Sequence, residues 1–124
     1  MGALSFVRDF SGPGFAAEEF ESGGKPSALL YRGAHRPHFQ IILNAHLDVL
    51  PAAAAQFRPR REGDRLYARR AQDMKVSALV PAQAFREVAS AVPFPLGLQL
   101  VTDEEVGGRT APCTRSSRAS AVST

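Results

Sequence analysis

Hydrophobic and polar positions divide the first half of the chain into short extended runs separated by breakers. Met1 to Asp9 reads as the last turns of a helix, stopped by Ser11-Gly12-Pro13-Gly14, a cluster that neither a helix nor a central strand survives. Phe15 to Ser22 alternates loosely, meets Gly23-Gly24-Lys25-Pro26, and gives way to a second extended run from Ser27 to Arg32, so a β-hairpin is predicted. Gly33 to Pro37 turns the chain. Phe39-Gln40-Ile41-Ile42-Leu43-Asn44-Ala45 is its most apolar short run, β-branched and bounded by Pro37 and Pro51, which predicts a central, buried strand. Residues 52–64 are rich in Ala, Arg and Pro without a period and predict a surface loop, followed after Gly63-Asp64 by a short strand from Arg65 to Ala68.

From Gln72 the period changes. Met74, Ala78, Leu79, Ala82, Phe85, Val88 and Ala89 recur every three or four residues, the pattern of an amphipathic helix running to about Ser90. Pro81 opposes a regular helix there, because its ring collides with the Ser77 carbonyl at a cost of about 3 kcal/mol in a helix interior. The helix is therefore expected to start near Ser77 or to kink. Pro93 and Pro95 close it, Leu96 to Thr102 alternates into a strand ending at Asp103-Glu104-Glu105, and Gly107-Gly108 turns the chain. Beyond Gly108 the composition changes to Arg, Ser, Thr and Ala with Val122 as the only large aliphatic residue, so residues 109–124 are expected to form a disordered tail.

A length of 124 residues suits one domain, and 44% hydrophobic with 22% charged residues suits a globular one. No run approaches the roughly 20 apolar residues of a membrane helix and no basic segment precedes a long apolar one, so no membrane partner and a cytoplasmic location are expected. The single Cys113 excludes an intrachain disulfide and multi-cysteine metal sites, which leaves His, Asp and Glu to hold any metal. The net charge of +3 belongs to the tail: Arg109, Arg115 and Arg118 account for it, and residues 1–108 balance twelve basic against twelve acidic side chains. Net charge thus gives the body no nucleic-acid footprint. Thirteen of the fifteen basic residues are Arg and Ala is abundant, the usage of a GC-rich coding sequence.

Metal-capable residues follow two apolar strands and open one helix. In open α/β sheets strand carboxyl ends and helix N-termini face one crevice, where His46-Leu47-Asp48, Asp73 and Glu104-Glu105 are candidates to converge. Alternation along an extended chain puts His46 and Asp48 on one face with Leu47 opposite. A carboxylate beside a ligating imidazole takes its other N–H, Asp73 is placed to bridge two cations, and of two adjacent glutamates one can bind metal while the other handles a proton. Each piece has a plainer reading: a strand-end histidine bonded to an acid, a helix cap, a solvated acidic turn. His35 and His38 flank Pro37, which prevents a helical ligand pair, and read as surface loop. Arg58, Arg60, Arg61, Arg65, Arg69 and Arg70 are interrupted by Glu62 and Asp64 and read as a solvated loop rather than a nucleic-acid contact.

The segments Asn44-Ala45-His46-Leu47-Asp48-Val49-Leu50-Pro51, Leu66 to Lys75 with its Gln72-Asp73-Met74, and Val101-Thr102-Asp103-Glu104-Glu105-Val106-Gly107-Gly108 together resemble, in order and separation, three signatures of the di-zinc amidohydrolase and exopeptidase family. That family includes acetylornithine deacetylase, succinyl-diaminopimelate desuccinylase, aminoacylase and glutamate carboxypeptidase. The resemblance covers most of residues 13–108 and implies an α/β zinc-exopeptidase fold, a mixed central sheet flanked by helices, acting as a deacylase or exopeptidase on a small acylated amino acid or peptide. It implies His46 as ligand of one zinc, Asp73 as the bridging carboxylate, Glu105 as ligand of the other zinc, Glu104 as general base and Asp48 as the acid orienting His46.

The chain departs from the family where Gly is usual and Ala45, Ala68, Arg70 and Val76 stand instead; Arg70 puts a bulky cation near a site for cations. The family's remaining zinc carboxylate, distal histidine and lid domain lie downstream of the last signature, and no His, Asp or Glu follows Glu105. The expectation is the N-terminal part of a catalytic domain in residues 1–108, incomplete at its C-terminus, with a tail in 109–124 of the kind a shifted reading frame would encode. Weak zinc binding and no turnover by this chain follow. The alternatives are an inert fragment and a binding module that associates with an intact paralogue.

Overall fold

The chain reverses at Gly23 and Gly24, whose φ angles of 57° and 75° suit a residue without Cβ. The runs on either side pair antiparallel, from Ala16 opposite Tyr31 to Ser22 opposite Lys25. They are β1 (Ala16–Ser22) and β2 (Lys25–Tyr31) in a computed structural model that describes residues 2–108, and they form the expected hairpin. The tail expected in 109–124 lies outside the described residues. β6 (Leu96–Val101) adds to β2 antiparallel and to β3 (Ile41–His46) parallel, giving one mixed sheet in the order β1-β2-β6-β3.

Alternation along β2 and β6 sends Ala28, Leu30, Leu98 and Leu100 to one face, and Ala45 joins them from β3. Two helices cover that face. Val7 comes from α1 (Ala3–Phe10), which packs on β2 and on α2 (Leu79–Val88); Ala82 and Phe85 come from α2, flanked by the buried Ala78 and Ala89. α2 lies on the connection between β3 and β6, which as parallel neighbours cannot be joined by a tight turn. The fold class is α/β with a mixed sheet, as the sequence implies.

Two elements differ from expectation, and the start of the long helix agrees with it. β3, expected at the centre, is an edge strand among the described residues and leaves Ile41 45% exposed, while β6 is buried along its whole length. Apolar content alone does not say whether a strand has a neighbour on each side. As Pro81 predicts, regular helix starts only near Ser77, at Leu79, and the period from Gln72 is interrupted: residues 71–75 form an irregular turn in which Asp73 (φ −117°, ψ 96°) and Met74 (φ −134°, ψ 30°) are non-helical. Pro81 accordingly sits in the first turn of α2, where its missing N–H lacked an intrahelical partner anyway. The second difference is in the loop after β3, which holds a 3-10 turn at Ala54–Phe57 and a strand β4 (Arg60–Glu62) that pairs with β5 (Arg65–Tyr67), the short strand expected after Gly63-Asp64. β4 is three charged, exposed residues, so no alternation of polarity announces it.

Several of the loop's arginines have partners within it. Arg60 lies 4.8 Å over the Tyr67 ring, and Arg69 donates to the Leu50 carbonyl at 2.9 Å while covering Phe57. His35 and His38 are exposed. No helix among the described residues is long and apolar enough to cross a membrane.

The sheet's second face is closed over β2 and β6 by Phe39, whose ring meets Tyr31 edge-on at 5.9 Å. Burial, with the hydrogen bond from its hydroxyl to Glu18, pushes the Tyr31 phenol above its ordinary value of 10.0. Under the Phe39 ring lies Gly97, where an added Cβ would stand 3.0 Å from two ring carbons. Gly97→Ala is therefore expected to destabilise the protein by about 1–3 kcal/mol through overpacking, despite alanine's better strand entropy. A urea unfolding midpoint equal to that of the parent chain would show that Phe39 yields freely.

Candidate metal centre

Parallel pairing aligns the carboxyl ends of β3 and β6. His46 stands opposite Val101, and the Leu47 N–H extends the ladder to the Val101 carbonyl at 2.8 Å. The strand exits therefore leave side by side, which brings residues 46–48 and 103–105 together. Leu47 turns into the core with Ala45, so His46 and Asp48 share the other side, as alternation requires. Asp48 Oδ2 accepts the Glu105 N–H at 2.9 Å and ties the two exits to each other. On the β6 side the Asp103 carbonyl accepts the N–H groups of Val106 at 3.3 Å and Gly108 at 2.8 Å, curling the acidic segment back over the strand end.

The third contributor is the turn 71–75. The His46 N–H donates to Met74 Sδ at 3.5 Å, and Met74 packs against the core, so the turn is held against the end of β3. Asp73 thereby reaches the imidazole. His46 Nε2 lies 3.1 Å from Asp73 Oδ1 and 3.9 Å from Glu104 Oε2, and on the opposite edge Nδ1 lies 3.4 Å from Asp48 Oδ1. The last two atoms face each other, buried, without hydrogen-bond geometry.

His46, Asp48, Asp73, Glu104 and Glu105 are thus gathered in one place. His46, Glu104 and Glu105 offer ligand atoms within 4.8 Å of one another; Asp73 is outside that trio but in contact with its histidine. The His46 side chain is 9% exposed, the Glu105 side chain 14% and the Glu104 side chain 56%, so one glutamate is covered and its neighbour opens to solvent. Asp73 caps no helix: the cap position of α2 is Ala78, with no side-chain cap bond. One imidazole nitrogen with several carboxylate oxygens is a donor set that divalent zinc accepts, so these residues fit such an ion.

Arg70 has a larger part here than its sequence reading gave it. It holds a left-handed backbone (φ 56°), and its Nη1 lies 3.2 Å from Asp73 Oδ2 and 3.3 Å from Glu105 Oε1. The spacing of Arg70 and Asp73, three apart, is visible in the sequence as an ion pair, but its extension to Glu105 depends on the strand register. Asp103, 3% exposed, and the Met74 sulfur also went unnoticed as structural supports of the site.

Residues 42–121 match the model of peptidase family M20/M25/M40. The succinyl-diaminopimelate desuccinylase of Verminephrobacter eiseniae (strain EF01-2) is 32% identical over 115 residues, covering 74% of this chain and 29% of that protein. The succinyl-diaminopimelate desuccinylase of Delftia acidovorans (strain DSM 14801 / SPH-1) is 32% identical over 123 residues, covering 84% of this chain and 31% of that protein. The chain spans about three tenths of the length of these relatives.

Proposed function

The chain belongs to peptidase family M20/M25/M40, a family of hydrolases, and on that premise we propose that its described residues form the metal-holding part of a zinc-dependent amide hydrolase, a deacylase or exopeptidase. The observation that carries this is His46 Nε2 aimed at the carboxylates of Asp73 and Glu104 with Glu105 beside them. His46 is the proposed ligand of one zinc, Asp73 the shared carboxylate, and Glu105 the carboxylate on the side of a second cation. A zinc ion bound there would supply Lewis acidity toward an amide carbonyl and toward water. Glu104, the exposed member of the acidic pair, takes the proton of the attacking water and returns it to the leaving amine. Asp48 is a positioning residue: it backs the far edge of the imidazole and fixes the Glu105 backbone through the bond to its N–H. The names of the two relatives suggest an N-succinylated amino acid as substrate.

The test is release of free amine from an N-succinyl amino acid by the purified, zinc-loaded protein and by its Glu104→Gln variant. Loss of the base is expected to lower any rate the parent shows by about 10²–10⁴-fold at unchanged zinc content. Equal rates would remove Glu104 from the mechanism. Zinc retention with no hydrolysis by either protein would leave a metal-holding module that works beside an intact paralogue.

A further inference from the structure

The carboxylates at this centre have two sides. One side, Asp73 Oδ1 with Glu104 Oε2, faces His46 Nε2. The other, Asp73 Oδ2 with Glu105 Oε1, faces a single nitrogen, Arg70 Nη1, at 3.2 and 3.3 Å. Asp73 thus turns one oxygen toward the imidazole and the other toward a guanidinium from the same chain. The Arg70 side chain is only 25% exposed and the Glu105 side chain 14%, so water screens this contact less than it would a surface pair.

We propose that Arg70 stands in the place of a second cation, so that the centre takes one divalent ion at His46 and not two. An ion within about 2.2 Å of either oxygen would lie no more than about 5.5 Å from Nη1, well inside the distance over which salt screens charge. A dication and a guanidinium would then compete for the same two oxygens. The arginine also holds a φ of 56°, which disfavours any residue with a Cβ, and this conformation delivers the charge contact. On the His46 side no guanidinium or ammonium within ion-pair distance is seen among the described residues, so Arg70 closes one position and leaves the other open.

Zinc at His46 is the premise taken over from the proposed function, and the experiment separates the two ideas. Zinc bound by the full chain is counted by titration of the apo protein against a chromogenic chelator. Parent chain and the variants Arg70→Gly, Arg70→Ala, His46→Ala and Arg70→Gly/Glu105→Gln are compared, with circular dichroism to confirm folding. The parent is expected to bind one equivalent that His46→Ala loses. Arg70→Gly, which suits the left-handed backbone, and Arg70→Ala, which removes the charge while keeping a Cβ, are both expected to bind two. Adding Glu105→Gln to Arg70→Gly is expected to return the count to one. Two equivalents in the parent, or one in both arginine variants, would overturn the role given to Arg70 and leave zinc at His46 standing. No zinc in any protein would overturn both.

Discussion

Replacing His46 by alanine is expected to lower zinc affinity by more than about 100-fold while the sheet stays assembled. Loss of a mere outer partner of a metal ligand costs about 10–100-fold, and this change removes the only nitrogen donor from a group otherwise made of carboxylates. The backbone has independent support: β3 pairs with β6 along its full length, and the anchors of that pairing, Ala45 and Leu47, point the other way, into the core. Metal binding and folding should therefore separate. At free zinc about 100-fold above its dissociation constant, binding to the native state alone adds about 2.7 kcal/mol, so the melting temperature of the parent should rise with zinc and fall back on adding a chelator. His46→Ala should show neither movement. A zinc-induced rise of equal size in both proteins would place the ion elsewhere, at the exposed His35 and His38 for instance.

Local pattern carried most of the fold and most of the residues brought together at the centre. The hairpin, β6 and the body of α2 were legible because each is announced by a period or by breakers such as Gly23-Gly24 and Pro93. Strand order was not, since Ile41 and Leu96 look equally suited to a buried strand and only pairing leaves Ile41 at an edge. The same limit explains Arg70. Its pairing with Asp73 is a matter of three residues along the chain, but its contact with Glu105 exists because β3 and β6 end in register and Asp48 holds the Glu105 backbone. Asp73 lies ahead of the helix, as Pro81 implies: the period is helical in Ala78, Ala82 and Phe85, but the turn 71–75 is bent so that Asp73 faces His46, which no period along the chain announces.

Phe85→Ala is expected to have the largest effect on stability, about 3–5 kcal/mol, a large share of the roughly 5–15 kcal/mol that holds a small domain together. Phe85 is fully buried, and its ring lies 4.5 Å from that of Phe15 at a tilt of 54°, so truncation removes both the burial and an aromatic pair. The buried residues that α2 and its flanks contribute beside it, Ala78, Ala82 and Ala89, are too short to fill the void. The loss would also reach the metal centre. α2 continues directly from the turn that carries Arg70 and Asp73, and Ala78 and Phe85 are part of what seats that segment on the sheet. A loosened helix should therefore weaken zinc binding as well as lower the urea midpoint, whereas His46→Ala changes chiefly the first. Phe85→Leu, which keeps most of the volume, should recover much of both. An unchanged urea midpoint for Phe85→Ala would mean that α2 does not close the core over β6, and that the turn bearing Asp73 is positioned by its own contacts with β3 alone.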